Sequence, residues 1–150
     1  MRLTDIIKPD RILLGLRAAD KAQALAEIAK RASAHLPIEA STILTALSAR
    51  EKLGSTGFGR GFALPHVRIQ GLEKLFGLLV RLAKPIEYEA IDGKSVDILF
   101  LLLIPVDKGN DHVAALAAVS RAMRDETTLA AVRKAGSAAL LFDDLAATEA

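Results

Sequence analysis

Val96-Asp97-Ile98-Leu99-Phe100-Leu101-Leu102-Leu103-Ile104-Pro105 is the stretch on which the fold reading turns. No polar residue interrupts it between Ile98 and Ile104, and Pro105 closes it. A bilayer span needs roughly 20 apolar residues, about three times what this run offers. A strand with one wet face would alternate apolar and polar residues, so an unbroken run of this length reads as a strand covered on both faces. Asp92-Gly93, just ahead of it, is a hairpin-turn signal.

Working outward, residues 62–67, 76–82 and 86–89 read as further strands. Helical periodicity lies on either side in the chain. Asp20 is placed to cap a helix running to about His35, with Ala22, Leu25, Ala26, Ala29 and Ala32 as its apolar stripe and Pro37 closing it. A second helix spans about Ile38 to Lys52, with Ile43, Leu44 and Leu47 inside, and Gly54 ends it. After Pro105, the spacing of Val113, Leu116, Val119, Ala122 and Met123 predicts another helix, followed by shorter ones at about 126–135 and 137–145. Helices, then strands, then helices imply the α/β (α+β) class, a sheet with helices on both faces. The pattern does not order the strands.

The whole-chain figures agree. A chain of 150 residues suits a single domain spanning 1–150. Its 51% hydrophobic and 4% aromatic content leaves the core to Ala, Leu, Ile and Val. With no cysteine, a disulfide framework, a thiolate metal site and a cysteine nucleophile are all excluded. The net charge of +2 is too slight to imply a nucleic-acid partner. The N-terminus has no signal-peptide h-region and no run spans a membrane, so the expectation is a soluble, cytoplasmic protein.

Candidate chemistry centres on histidine. His35 ends a surface helix and reads as a structural residue beside the helix dipole. His66 follows Pro65 at a strand end, downstream of Gly54, Gly57, Gly59 and Gly61, where side chains are displayed to ligands. His112 lies in Gly109-Asn110-Asp111-His112, in the first turn of a helix, whose amides attract anions. The glycine stretch fails the dinucleotide fingerprint, because position 62 is Phe, and there is no phosphate-loop or GxSxG motif. A zinc site from His66, His112 and Asp111 matches no zinc spacing. A two-histidine site with arginine nearby survives. Imidazole is a nucleophile near neutral pH, and phosphoryl transfer needs mainly positioning and positive charge. Arg50, Ser55, Thr56, the Gly57–Gly61 loop, Arg60 and Arg68 supply these around His66.

The segment from Arg50 to His66, R-E-K-L-G-S-T-G-F-G-R-G-F-A-L-P-H, resembles the signature of the enzyme IIA domains of the fructose/mannitol type. These belong to the bacterial phosphoenolpyruvate-dependent phosphotransferase system. The resemblance continues through K-P-I-E-Y-E-A-I-D-G-K at 84–94, the strand ending Ile104-Pro105 and the helix opening at His112. Within the family, Ala90-Ile91-Asp92 followed by Val96-Asp97 is most similar to the nitrogen-regulatory form. The resemblance implies a mixed β-sheet flanked by helices. It implies a phosphotransferase that takes a phosphoryl group from a phosphorylated HPr-like carrier onto Nε2 of His66. His112 would support the phosphoryl group, Arg50 would steady its charge, and Ser55, Thr56 and Gly57 would form the adjoining loop. It implies no metal and no organic cofactor.

Two roles follow from the resemblance. A regulatory protein would act on targets such as potassium-transport or sensor-kinase proteins according to its phosphorylation state. A transport component would pass the group to an enzyme IIB domain. A chain of 150 residues with no fused IIB or membrane segment favours the first. Phe58, Phe62 and Val67 depart from the smaller residues common in the family, and they read as a repacked loop or as a reshaped docking face carrying Phe58 and Phe62.

Overall fold

The computed structural model describes residues 1–106 and 111–149. Its organising element is β6, Val96–Pro105, in which every side chain except that of Asp97 is buried. Successive side chains of a strand point to opposite faces, so a run apolar at every position needs cover on both sides. Leu99, Leu101 and Leu103 enter one core with α2 (Lys21–Ser33) and α3 (Ala40–Leu53). Ile98, Phe100, Leu102 and Ile104 enter the other, with α1 (Leu3–Ile6), α4 (Asp111–Met123), α5 (Glu126–Lys134) and α6 (Ala138–Glu149).

Among the described residues the sheet is six-stranded and mixed, in the order β1-β5-β6-β3-β2, with β4 also on β6. β5 (Phe76–Ile86) runs antiparallel to β6, and β1 (Ile12–Leu16) lies parallel to β5. On the other side of β6 lie β3 (Phe62–Ala63) and β4 (His66–Ile69), both parallel to it, and β2 (Gly57–Gly59) pairs antiparallel with β3. The two-sided layering and the mixed sheet are as expected.

Several details differ from the sequence reading. The strand expected over 62–67 is two strands broken at Leu64-Pro65. Proline has no N–H to give a ladder, but its carbonyl still accepts from the Leu102 amide at 3.0 Å, which keeps the chain on β6. The strand expected at 86–89 does not form. β5 continues to Ile86, and the chain then leaves the sheet with Tyr88 turned fully inside. Asp92-Gly93 does make a turn, closed by Gly93 N–H donating to the Ala90 carbonyl at 2.9 Å, inside the longer connection from β5 to β6. Asp20 caps α2 by accepting from the Gln23 amide at 2.9 Å. The buried stripe of α2 is Ala24, Leu25, Ile28, Ala29 and Ala32, while Ala22 and Ala26 face solvent. Alanine carries too little surface to fix the rotation of a helix, and Ile28 decides it.

Candidate active site

His66 opens β4, immediately after the Leu64-Pro65 break. Its Nδ1 lies 2.7 Å from the Leu64 carbonyl oxygen. A carbonyl can only accept, so Nδ1 carries the proton and donates it. In the neutral ring the lone pair is then at Nε2, the nitrogen directed away from the backbone. The side chain is half-buried, held in place yet accessible.

The register of β4 on β6 fixes which way it faces. His66 sits beside Leu102 and Arg68 beside Ile104, and both partners belong to the core beneath α4. Residues two apart in a strand share a face, so His66 and Arg68 both project towards the α4 side. His112 is the second residue of α4. The Arg68 Nη2 stands 3.3 Å from His112 Nδ1 and 3.3 Å from its Nε2, while Nη1 reaches the Val106 carbonyl at 3.5 Å. The fold thus brings both candidate histidines to one face, with the Arg68 guanidinium against the second. Gly109 and Asn110, which lead into His112 in the sequence, lie outside the described residues, as does the side chain of Asp111.

Arg50 is in the last turn of α3, a helix packed on the opposite face of β4 through the core that holds Val67 and Ile69. Its Nη1 donates to the Gly54 carbonyl at 3.0 Å, at the end of its own helix. Among the described residues, no hydrogen bond joins it to His66. The Ser55–Gly57 loop is tied inward. Ser55 Oγ donates to the Tyr88 carbonyl at 2.9 Å and accepts from the Gly57 amide at 3.1 Å. Thr56 is buried, its amide donating to Glu51 Oε1 at 3.1 Å and its hydroxyl to Glu51 Oε2. The Thr56 carbonyl in turn accepts from the Leu64 amide at 2.9 Å. Gly57 passes so close to Ala90 that a Cβ there would lie 2.8 Å from its Cα, a clash with main chain that only glycine avoids.

This network rests on residues to which sequence reasoning gave no role. Glu51, with a side chain only 5% exposed, takes the Lys21 ammonium at 3.0 Å. That ammonium also lies over the Tyr88 ring, 4.5 Å from its centroid. Burial first, and then the Glu51 charge, pushes the Tyr88 phenol well above its ordinary range. A glutamate next to Arg50 on a helix reads as a solvated face, so only its burial shows what it holds. Arg68 was legible as local positive charge. The strand alternation from His66 was the signal that it shares the histidine's face.

Of the other features, His35 packs its ring 5.7 Å from that of Phe76 and lies 3.9 Å from Asp10, away from this site. Phe62 is buried in the core, in keeping with a repacked loop, and does not contribute to the docking face that was the alternative reading. Phe58 stacks on it at 6.1 Å and remains 48% exposed.

The family described as "Phosphoenolpyruvate-dependent sugar phosphotransferase system, EIIA 2" matches residues 5–146. The chain belongs to this family. This EIIA chain is 40% identical over 146 residues to a "Nitrogen regulatory protein" of Bradyrhizobium diazoefficiens, covering 97% of this chain and 95% of that one. It is 36% identical to a protein of the same name from Pseudomonas aeruginosa, over 95% and 93% of the two chains. Among solved structures it is similar to the nitrogen regulatory protein IIA-Ntr of Neisseria meningitidis, with a TM-score of 0.89 at 27% identity over 95% of this chain and 98% of that one. The mannitol IIA of Escherichia coli shares the fold, with a TM-score of 0.75 at 18% identity, covering 91% and 97% of the chains. No helix among the described residues is long and apolar enough to cross a membrane.

Proposed function

We propose that this EIIA protein is a phosphoryl-accepting regulator of a nitrogen phosphotransferase system, with Nε2 of His66 as the acceptor. The observation that carries the reading is the hydrogen bond from His66 Nδ1 to the Leu64 carbonyl, 2.7 Å long, which leaves the lone pair on the outward nitrogen of a half-buried ring. That lone pair attacks the phosphorus of a phosphohistidine on an HPr-like carrier. The Nε2–P bond forms as the carrier's N–P bond breaks, and the electron pair returns to the carrier's ring nitrogen. The proton stays on Nδ1, donated to the Leu64 carbonyl, so the ring is steadied as it gains charge. His112, on the same face, supports the phosphoryl group, and Arg50 adds positive charge to the field. Thr56, within the Ser55–Gly57 loop, holds Leu64 and through it the ring. Direct phosphoryl contact from the Ser55 hydroxyl or from the Thr56 amide and hydroxyl would require release of Tyr88 and Glu51. No metal or organic cofactor enters the reaction.

The regulatory role is supported by the relatives named nitrogen regulatory protein, matched across nearly their full length. Their name favours a regulatory role, exercised in this proposal as control of target proteins, such as potassium-transport or sensor-kinase proteins, by phosphorylation state. A transport role is the second reading. It is favoured by 34% identity over 103 residues to a "PTS system fructose-specific EIIA component" of Haloferax volcanii.

Incubation with phosphoenolpyruvate, enzyme I and the carrier is expected to give an acid-labile, alkali-stable label that is absent from His66→Ala. Full labelling of His66→Ala would overturn the assignment. Rapid onward transfer to the active cysteine of an enzyme IIB would favour the transport role over the regulatory one.

A further inference from the structure

We infer that Arg68 is a further phosphoryl-binding residue, whose guanidinium leaves His112 and takes the phosphoryl oxygens once His66 is modified. The inference rests on the phosphohistidine reading of His66.

Three observations carry it. Arg68 follows His66 by two residues in β4 and projects from the same face, as the pairing of the two with Leu102 and Ile104 shows. Its guanidinium already lies against the second histidine of that face, with Nη2 3.3 Å from both ring nitrogens of His112. Its present contacts are long and weakly directed, since an imidazole offers at most one in-plane lone pair and an atom 3.3 Å from both ring nitrogens does not lie along it, and the bond from Nη1 to the Val106 carbonyl is 3.5 Å. No carboxylate bridges to it among the described residues. Arg50, by contrast, is held at 3.0 Å by the end of its own helix.

A guanidinium so placed is a charge in waiting. The arriving group brings about two negative charges and three acceptor oxygens, which a planar fork meets with two parallel hydrogen bonds. Loosely held contacts to an imidazole ring are exchanged for charge-assisted ones to the phosphoryl oxygens. The transfer itself keeps its balance: the Nε2–P bond replaces the donor's N–P bond, and Arg68 neither gains nor loses a proton.

The test compares wild type, Arg68→Lys and Arg68→Ala, each phosphorylated with enzyme I, the carrier and phosphoenolpyruvate. The readouts are the phosphorylated fraction at equilibrium with the carrier, the half-life of the phosphohistidine, and the guanidinium nitrogen resonances of Arg68. For Arg68→Ala, the equilibrium constant for acceptance is expected to fall about tenfold or more, the scale of hydrogen bonds to a charged group. Lysine, a point charge without the fork, is expected to recover part of that loss. In wild type the guanidinium resonances should move on phosphorylation and stay put in His66→Ala. An unchanged equilibrium and half-life in Arg68→Ala, or resonances that do not respond, would overturn the inference while leaving His66 as the acceptor. Absence of label from wild type would overturn both readings.

Discussion

Glu51 and Tyr88 meet where a charged helix residue and a lone tyrosine would be expected to face water. Glu51 binds Lys21 and Thr56, Thr56 binds Leu64, and Leu64 binds the His66 ring, so the geometry of the proposed acceptor is built on a buried ionic residue fifteen positions upstream. The two histidines were legible as residues because the motif around His66 is long and His112 opens a helix. The contact between Arg68 and His112 was not, because it joins residues 44 apart through a strand register that local pattern does not encode. Tyr88 allows a direct check, since it is the only tyrosine. Its folded phenol is raised above the unfolded value of about 10, so its contribution is intact below that pH. Above it the unfolded state ionises first, and stability falls by about 1.4 kcal/mol per pH unit. Tyrosinate absorbance is expected to appear together with unfolding, and Tyr88→Phe should flatten the alkaline limb of the stability curve. A tyrosinate band rising in the native protein near the ordinary phenol value would contradict the burial argument.

Among the elements, β6 was the easiest to read and β4 the hardest. An unbroken apolar run has one economical home, the middle of a covered sheet, and all of Ile98–Ile104 is at most 4% exposed. β1 was not recognised. It is five residues long, has Gly15 at a φ of +87° inside it, and owes its existence to β5 alongside. β3 and β4 look like one strand in sequence because the break at Leu64-Pro65 concerns hydrogen bonding, not hydrophobicity. The weight resting on β6 can be measured. Leu101 is fully buried, and Leu101→Ala is expected to cost about 3–5 kcal/mol in urea-induced unfolding, through lost transfer energy and the cavity left behind. A loss below about 1 kcal/mol would mean that the sheet is not the centre of the core.

At the scale of the molecule, layering was legible and strand order was not, because alternation reports burial whereas order depends on pairings between distant segments. The two ends of the described chain meet on one side of the sheet: the Glu149 carboxylate accepts from the amide and the hydroxyl of Thr4, at 3.1 and 2.9 Å, joining α6 to α1. The formal net charge is +2, and the proposed step adds a PO3 unit to a ring that keeps its Nδ1 proton, a net change of about −1. Phosphorylation therefore lowers the net positive charge of the molecule. The phosphorylated form is expected to focus at a lower pH and to lose mobility towards the cathode on a neutral native gel, with no shift for His66→Ala. Identical migration before and after incubation with the phosphorylated carrier would count against stoichiometric acceptance.

The carbonyl that orients the His66 ring belongs to the main chain, and every amino acid supplies one. Substituting Leu64 can therefore alter packing without deleting the acceptor that fixes which ring nitrogen of His66 carries the proton. The choice of nitrogen is insulated from point mutation at that position and vulnerable only to changes that move the backbone. In the role proposed for His66, the nucleophile's tautomer is inherited with the fold instead of being encoded by a neighbouring side chain.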